Sequence, residues 1–177
     1  MFATRSALFG FLAPAFLFSF AAAQQPTVAS LAAPVPAQIL TGQKVFISNA
    51  GYDAVSRAAF DRAHEPNRPY NDLYAAMKKW GRYELASAPA DADLVFAIRF
   101  TSRIDSCDKI TSYQPELELT IFDTKSHFAL WTITEPVAGA MRKSTWDHNF
   151  DQGVTALMDE LKVIAGTSTS GSNGKQP

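Results

Sequence analysis

The chain has 177 residues, with 16 Lys and Arg, 17 Asp and Glu and a formal net charge of −1. This length suits one domain, and the balanced charge excludes a general electrostatic attraction to nucleic acid or to an anionic membrane. Hydrophobic residues make up 47% of the chain, which excludes global disorder, and the single Cys excludes an intrachain disulfide.

Residues 1–23 have the pattern of a secretory signal peptide. Arg5 precedes an apolar run from Ala7 to Phe20, and three alanines ending at Ala23 follow. The apolar run is shorter than the roughly 20 residues that a membrane-spanning helix needs. We therefore predict cleavage near Ala23 and a periplasmic or secreted mature protein without a transmembrane span. An uncleaved amino-terminal anchor is the alternative.

The mature chain is predicted to hold one domain between two irregular ends. Residues 24–40 contain Pro26, Pro34 and Pro36 and no periodic apolar pattern, which is typical of an extended linker. Residues 166–177 are mostly Gly, Ser, Thr and Asn, which is typical of a flexible tail. The folded unit is predicted to occupy residues 41–165.

The first half of this unit has a strand and two helices in its pattern. Residues 44–48 predict a strand, and residues 53–63 a short helix with Asp53 as its cap. Residues 69–80 predict a longer helix that ends at Gly81 after two lysines. Its apolar stripe consists of Tyr70, Leu73, Tyr74, Met77 and Trp80.

Several strands and a final helix follow. Residues 83–86 predict a short strand, and residues 94–101 and 116–121 alternate in the manner of strands with one buried face. A turn at 123–126 and a strand at 128–135 complete an antiparallel hairpin. Residues 146–165 predict a helix with a capping box at Ser144 and Asp147, and we attribute Gly153 inside it to close packing.

These elements predict an α+β fold. Two amphipathic helices would cover one face of a mainly antiparallel sheet of four to five strands, which gives a two-layer sandwich. The opposite face would present Arg99, Glu116, Glu118 and Thr120 to water or to a partner. Trp131 and Leu130 have opposite strand phases, so one of them is expected on this opposite face. An exposed Trp131 would indicate a partner surface, and its burial in the core is the alternative that we favour.

The stretch from Tyr74 to Phe96 carries a resemblance to a known group of domains. A helix ends at Gly81-Arg82-Tyr83, a short strand follows, and Ala92-Asp93-Leu94-Val95 opens a long strand. This order resembles small, lipoprotein-like exported bacterial domains of unknown function. More remotely it resembles the amino-terminal domain of TolB-type proteins and the curli-secretion lipoprotein fold. The resemblance implies a role in envelope assembly or binding and transfers no catalytic residue; the lipoprotein Cys is missing near Ala23.

Chemistry-bearing side chains are scattered through the sequence. Asp91 and Asp93 stand two apart, which suits either an acid–base pair or a polar turn, and His127 falls at the predicted hairpin turn. Cys107 suits a tolerated thiol or an intermolecular disulfide. His64 and His148 complete the histidines, and none of the three has a zinc-binding spacing. The sequence contains no nucleotide-binding glycine loop, so we predict no cofactor, no metal ion and no catalytic residue.

The prediction that follows is a non-enzymatic exported domain that interacts with an envelope protein and not with nucleic acid. One alternative is a small hydrolase or metal-dependent enzyme that would use Asp91, Asp93, His127 and Cys107. Another is a carrier that would hold a small ligand between helices and sheet.

Overall fold

The computed structural model describes residues 33–53, 56, 67–107 and 110–166, without the side chains of 105–107, 110 and 111. The predicted signal peptide, residues 24–32 of the predicted linker and the tail beyond Gly166 lie outside these residues. So does most of the helix predicted at 53–63. Within that stretch, Asp53 Oδ1 accepts a hydrogen bond of 2.6 Å from the Ser56 N–H, as a helix cap does.

The described chain contains five strands, three α-helices and a 3₁₀ turn at Pro89–Asp91. The helices are α1 (Ala37–Thr41), α2 (Arg68–Trp80) and α3 (Lys143–Ile164). The strands are β1 (Lys44–Tyr52), β2 (Glu84–Leu85), β3 (Leu94–Cys107), β4 (Ile110–Asp123) and β5 (Ala129–Pro136).

The five strands form one sheet in the order β2-β1-β3-β4-β5. The predicted antiparallel hairpin of β4 and β5 is confirmed, and β3 also pairs antiparallel with β4. The sheet is nevertheless mixed, because β1 runs parallel to both of its neighbours. A parallel pair needs a crossover between its strands, and α2 lies in the segment that joins β1 to β2.

The core lies between the sheet and the two long helices, so the predicted two-layer arrangement is confirmed. Alternate residues of β3 and β4 point towards the helices and are at most 2% exposed; they are Leu94, Phe96, Ile98, Phe100, Leu117, Leu119 and Ile121. Helix α2 lies over β1 and β3, and α3 lies over β4 and β5. Their buried residues include Leu73, Met77, Phe150, Leu157 and Leu161.

Two predicted details of the helices are also confirmed. Gly81 ends α2 with a left-handed φ of 69°, and its N–H donates to the Met77 carbonyl. Gly153 lies where α3 approaches the sheet, since a Cβ there would come within 3.1 Å of a Val137 methyl carbon and 3.4 Å of a Leu117 methyl carbon. Close packing therefore accounts for this glycine.

The packed fold begins before the predicted boundary at residue 41. Four of the five residues of helix α1 lie in the segment 24–40 that was predicted as an extended linker, and its Ile39 is fully buried. The Tyr83 hydroxyl donates to the Ile39 carbonyl at 2.9 Å, and Arg82 donates to the Leu40 carbonyl at 2.7 Å. A single turn of helix has no visible period, which is why the sequence pattern concealed it.

The capping box predicted at Ser144 and Asp147 is wrong. Helix α3 begins at Lys143, its first residue follows Arg142, and no side chain caps it. Asp147 instead accepts hydrogen bonds from Lys143 in the same helix and from Arg68 at the start of α2. A charged partner from another helix therefore outweighs the local bond that the spacing suggested.

Arg68 ties the two long helices together. Its guanidinium contacts the carboxylates of Asp72, Asp147 and Asp151. It also lies 4.6 Å from the centre of the Phe150 ring, and the Arg68 side chain is only 13% exposed. Burial alone lowers the pKa of Arg68, but its hydrogen bonds to Asp147, Asp151 and Asp72 outweigh that effect, so the net pKa is raised. The guanidinium thus stays charged where the helices meet.

Replacing Arg68 tests this role. We expect Arg68→Met to lower the free energy of unfolding by about 2–3 kcal/mol, because it leaves three carboxylates without their shared cation beside an apolar core. Lys162→Met is the control. Lys162 forms an ion pair with Asp159 on the surface of α3, and a surface pair of this kind should contribute less than about 0.5 kcal/mol to the free energy of unfolding. Urea denaturation followed by circular dichroism measures both, and equal losses would contradict the assignment.

Candidate functional site

The face of the sheet opposite the long helices is called the open face here. All four residues predicted for it, Arg99, Glu116, Glu118 and Thr120, lie there in register. Arg99 pairs with Glu118, and Nη2 of the arginine lies 3.0 Å from Oε2 of the glutamate, with side chains 44% and 26% exposed. Whether this face binds a partner stays a prediction.

One row of the open face is apolar, which the sequence analysis missed. Phe46, Val95 and Phe122 are neighbours across β1, β3 and β4, and all three are half-buried. The signal was present, because the alternation that puts Glu118 and Thr120 on this face puts Phe122 there too.

Trp131 and Leu130 are both half-buried against the core. Trp131 pairs with Ile121 and therefore shares the helix-covered face. Leu130 falls at a register irregularity between the pairs that Ile121 and Phe122 make with β5. A bulge of this kind shifts a side chain out of strict alternation, so neither residue forms an exposed patch on the open face.

The apolar row leads into a cleft at the end of the sheet. The cleft has a volume of about 770 Å³ and lies between the 3₁₀ turn and the turn that joins β4 to β5. Val95 and Phe122 form its floor. The complete lining consists of Pro89, Ala90, Asp91, Ala92, Asp93, Val95, Phe122, Asp123, Thr124, Lys125 and His127.

Asp93 has a structural role in one wall of the cleft. Its Oδ2 accepts hydrogen bonds from the N–H groups of Gln43 and Lys44, at 2.9 and 3.0 Å. These bonds hold the pKa of Asp93 below its usual value, and the bond from Lys44 contributes most. A carboxylate held in its charged form by the start of β1 is poorly suited to move protons near neutral pH.

Asp123 has a similar role in the other wall. This buried residue accepts hydrogen bonds at Oδ2 from the hydroxyl and the N–H of Ser126, at 2.6 and 2.8 Å. Both bonds hold the pKa of Asp123 below its usual value, with the hydroxyl contributing most. The turn predicted at residues 123–126 is thereby confirmed.

His127 closes this turn in an unusual backbone conformation. Its φ is 61°, and its N–H donates to the Asp123 carbonyl at 2.9 Å. Only glycine adopts this left-handed region without steric conflict. The imidazole is exposed and lines the cleft. His127 therefore places a ring in the cleft at a position whose backbone conformation favours glycine.

The four side chains considered for catalysis do not form one constellation. Asp91, Asp93 and His127 line the same cleft, and no hydrogen bond joins these three described side chains. Cys107 ends β3 at the opposite end of that strand from Leu94, and its side chain is not described. His148 is exposed on α3, and His64 lies outside the described residues.

Among the residues described, no three His, Cys, Asp or Glu side chains are grouped so that they could hold a metal ion. None of the described helices combines the length and the hydrophobicity needed to cross a bilayer.

No family model and no curated protein matches the sequence. The fold is similar to solved bacterial structures. PelC from Paraburkholderia phytofirmans, a dodecamer, is 13% identical over 75% of this chain and 93% of its own, with a TM-score of 0.41. Lipoprotein GNA1162 from Neisseria meningitidis is 9% identical over 66% of this chain and 98% of its own, with a TM-score of 0.38. Uncharacterized lipoprotein B from Nitrosomonas europaea is 14% identical over 80% of this chain and 93% of its own, with a TM-score of 0.39.

Two of these three structures are bacterial lipoproteins. At these identities and scores the likeness concerns the arrangement of helices and strands and says nothing about a ligand. The more specific resemblance to TolB-type domains and to the curli-secretion lipoprotein stays a prediction.

The conformation of His127 yields a prediction about stability. We expect His127→Gly to raise the free energy of unfolding by about 0.5–1 kcal/mol, because the relief of left-handed strain exceeds the extra chain entropy of glycine. His127→Ala keeps the strain and should give no gain. Urea denaturation of the three proteins measures the difference, and a loss of stability in His127→Gly would show that the ring itself stabilises the turn.

Proposed function

We propose that this chain is an exported, non-enzymatic domain that binds a protein of the cell envelope through its open face. The observation that carries the proposal is the one-sided packing of the sheet. Both long helices cover the same face, while the other presents a pair of opposite charges, Arg99 and Glu118. Four residues along the same strands, it presents the apolar row of Phe46, Val95 and Phe122.

The chemistry of the open face suits a protein partner. A half-buried apolar row beside a charged pair has the mixture of apolar centre and polar rim found in protein interfaces. Thr120 and Thr132 add hydroxyl groups 3.4 Å apart on neighbouring strands. These groups donate and accept hydrogen bonds, so they suit a polar partner surface as well as water.

The size of the face limits the strength of the interaction. Four strands that are each about 4.8 Å wide and seven residues with a rise near 3.3 Å give a flat area of roughly 440 Å². A stable interface buries about 800 Å² on each partner. The partner is therefore expected either to bind weakly or to reach beyond the face, for example along the outer edge of β5, which is the last strand of the sheet.

Export supports this proposal from the sequence side. The amino-terminal pattern ending at Ala23 would deliver the domain across the inner membrane, where proteins of the cell envelope are available as partners. The enzyme alternative has less support, since Asp93 is hydrogen bonded to two backbone N–H groups. The ligand-carrier alternative is favoured by one specific observation, the cleft at the end of the open face.

Charge reversal on the open face tests the proposal. The immobilised protein is exposed to envelope extract, and the retained proteins are identified and quantified by mass spectrometry. We expect Arg99→Glu to reduce retention of a specific partner at least tenfold, because like charges then lie together within the contact. The double variant Arg99→Glu with Glu118→Arg restores the ion pair with inverted polarity and should also lose the partner.

The matched control is Lys79→Glu on helix α2. Lys79 is exposed and belongs to the layer on the other side of the sheet, so its reversal changes the net charge equally without touching the open face. We expect this variant to retain the partner. No retained protein on the natural chain, or equal retention by all variants, would contradict the proposal.

A further inference from the structure

We propose that the cleft at the end of the open face binds a small amphipathic cation, with an apolar body on Val95 and Phe122 and an ammonium group facing Asp91. This site shares Val95 and Phe122 with the proposed partner surface but does not include the charged pair of Arg99 and Glu118, and the experiment below needs no protein partner. The inference therefore does not depend on the existence of that partner.

The size and floor of the cleft suit a small organic molecule. Its volume of about 770 Å³ falls within the range of roughly 300–1,000 Å³ that is typical of small-ligand sites. Val95 and Phe122 are half-buried and supply an apolar floor, and Pro89, Ala90 and Ala92 line one wall with side chains that carry no polar group. The interior thus favours an apolar ligand body.

The charges around the cleft select the sign of the ligand. Asp91, Asp93 and Asp123 contribute three carboxylates, and Lys125 contributes one ammonium. Lys44 also acts on Asp93, but its ammonium lies 3.2 Å from the carboxylate of Glu84 and is paired there. Lys125 acts favourably on both Asp93 and Asp123, so its single charge is shared between them. The cleft is left with an excess of negative charge, and a cation is attracted where an anion is repelled.

Asp91 is the carboxylate that remains available. Asp93 is hydrogen bonded to backbone groups of β1, and Asp123 to Ser126. Asp91 is exposed, and its carboxylate has no hydrogen bond or ion pair with any described residue. An ammonium group on the ligand would give this carboxylate a charge-assisted hydrogen bond without breaking one that the fold uses.

The two walls of the cleft are fixed to each other before any ligand arrives. The Thr124 hydroxyl lies 2.9 Å from the carbonyl oxygens of both Ala92 and Asp93, and the Thr124 N–H donates to the Asp93 carbonyl at 3.3 Å. Thr124 therefore joins the β4–β5 turn to the 3₁₀ turn. Such preorganisation lowers the entropy that binding must overcome.

The experiment compares three probes that share a phenyl ring and differ in charge. They are 2-phenylethylamine, 2-phenylethanol and 3-phenylpropanoate, each titrated into the ¹⁵N-labelled chain and followed by amide chemical shifts. For a ligand of this size we expect an affinity in the roughly millimolar range. The amine should give saturable shifts at residues 91–95 and 122–127, and the alcohol and the acid should bind at least fivefold more weakly.

Two variants locate the contact. Asp91→Asn keeps the shape of an exposed side chain and removes its charge, and it should weaken binding of the amine at least fivefold. Asp159→Asn makes the same substitution at an exposed position of α3 that does not line the cleft, and it should leave binding unchanged; the spectra themselves report whether each variant is folded. Absence of saturable shifts with the amine, equal binding of the acid, or an unchanged affinity in Asp91→Asn would overturn the proposal.

Discussion

Strict two-residue alternation along β3 and β4 is the constraint on which the rest of the structure depends. Every second residue, from Leu94 to Phe100 and from Leu117 to Ile121, is at most 2% exposed, and a shift of one residue would turn this apolar set towards water. Because the two strands pair with each other at the centre of the sheet, their alternation gives the sheet one apolar face for the helices. The same alternation creates the open face.

Features with a repeating pattern were predictable, and features that depend on one distant contact were not. The two long helices, the β4–β5 hairpin and the one-sided packing follow from periods of 3.6 and 2, which burial imposes on sequence. The direction of β1 could not be predicted in this way, since alternation is the same in parallel and antiparallel strands. The capping box at Asp147 was predicted wrongly because the partner of this residue, Arg68, lies on another helix. Helix α1 was not predicted because it is too short to show a period.

The cleft was less predictable than the open face, for the same physical reason. Asp91 and His127 are distant in sequence, and their turns are joined by the hydroxyl of Thr124, which hydrogen bonds to the chain directly after the 3₁₀ turn. Such a bond leaves no pattern in the sequence. Phe122 was the one available signal, because an aromatic residue in the polar phase of a strand indicates an apolar spot on the exposed side of a sheet.

Thiol reactivity tests the one-sided burial of the sheet most directly. In a Cys107→Ser chain, Ala97→Cys places a thiol on the open face, and Ile98→Cys places one on the helix-covered face of the same strand. We expect the thiol at position 97 to react within about tenfold of its rate in the unfolded chain, and the one at 98 to be slowed at least a hundredfold, since reaction there requires local or global unfolding. Equal protection of both positions would mean that a second layer covers the sheet and would contradict the account.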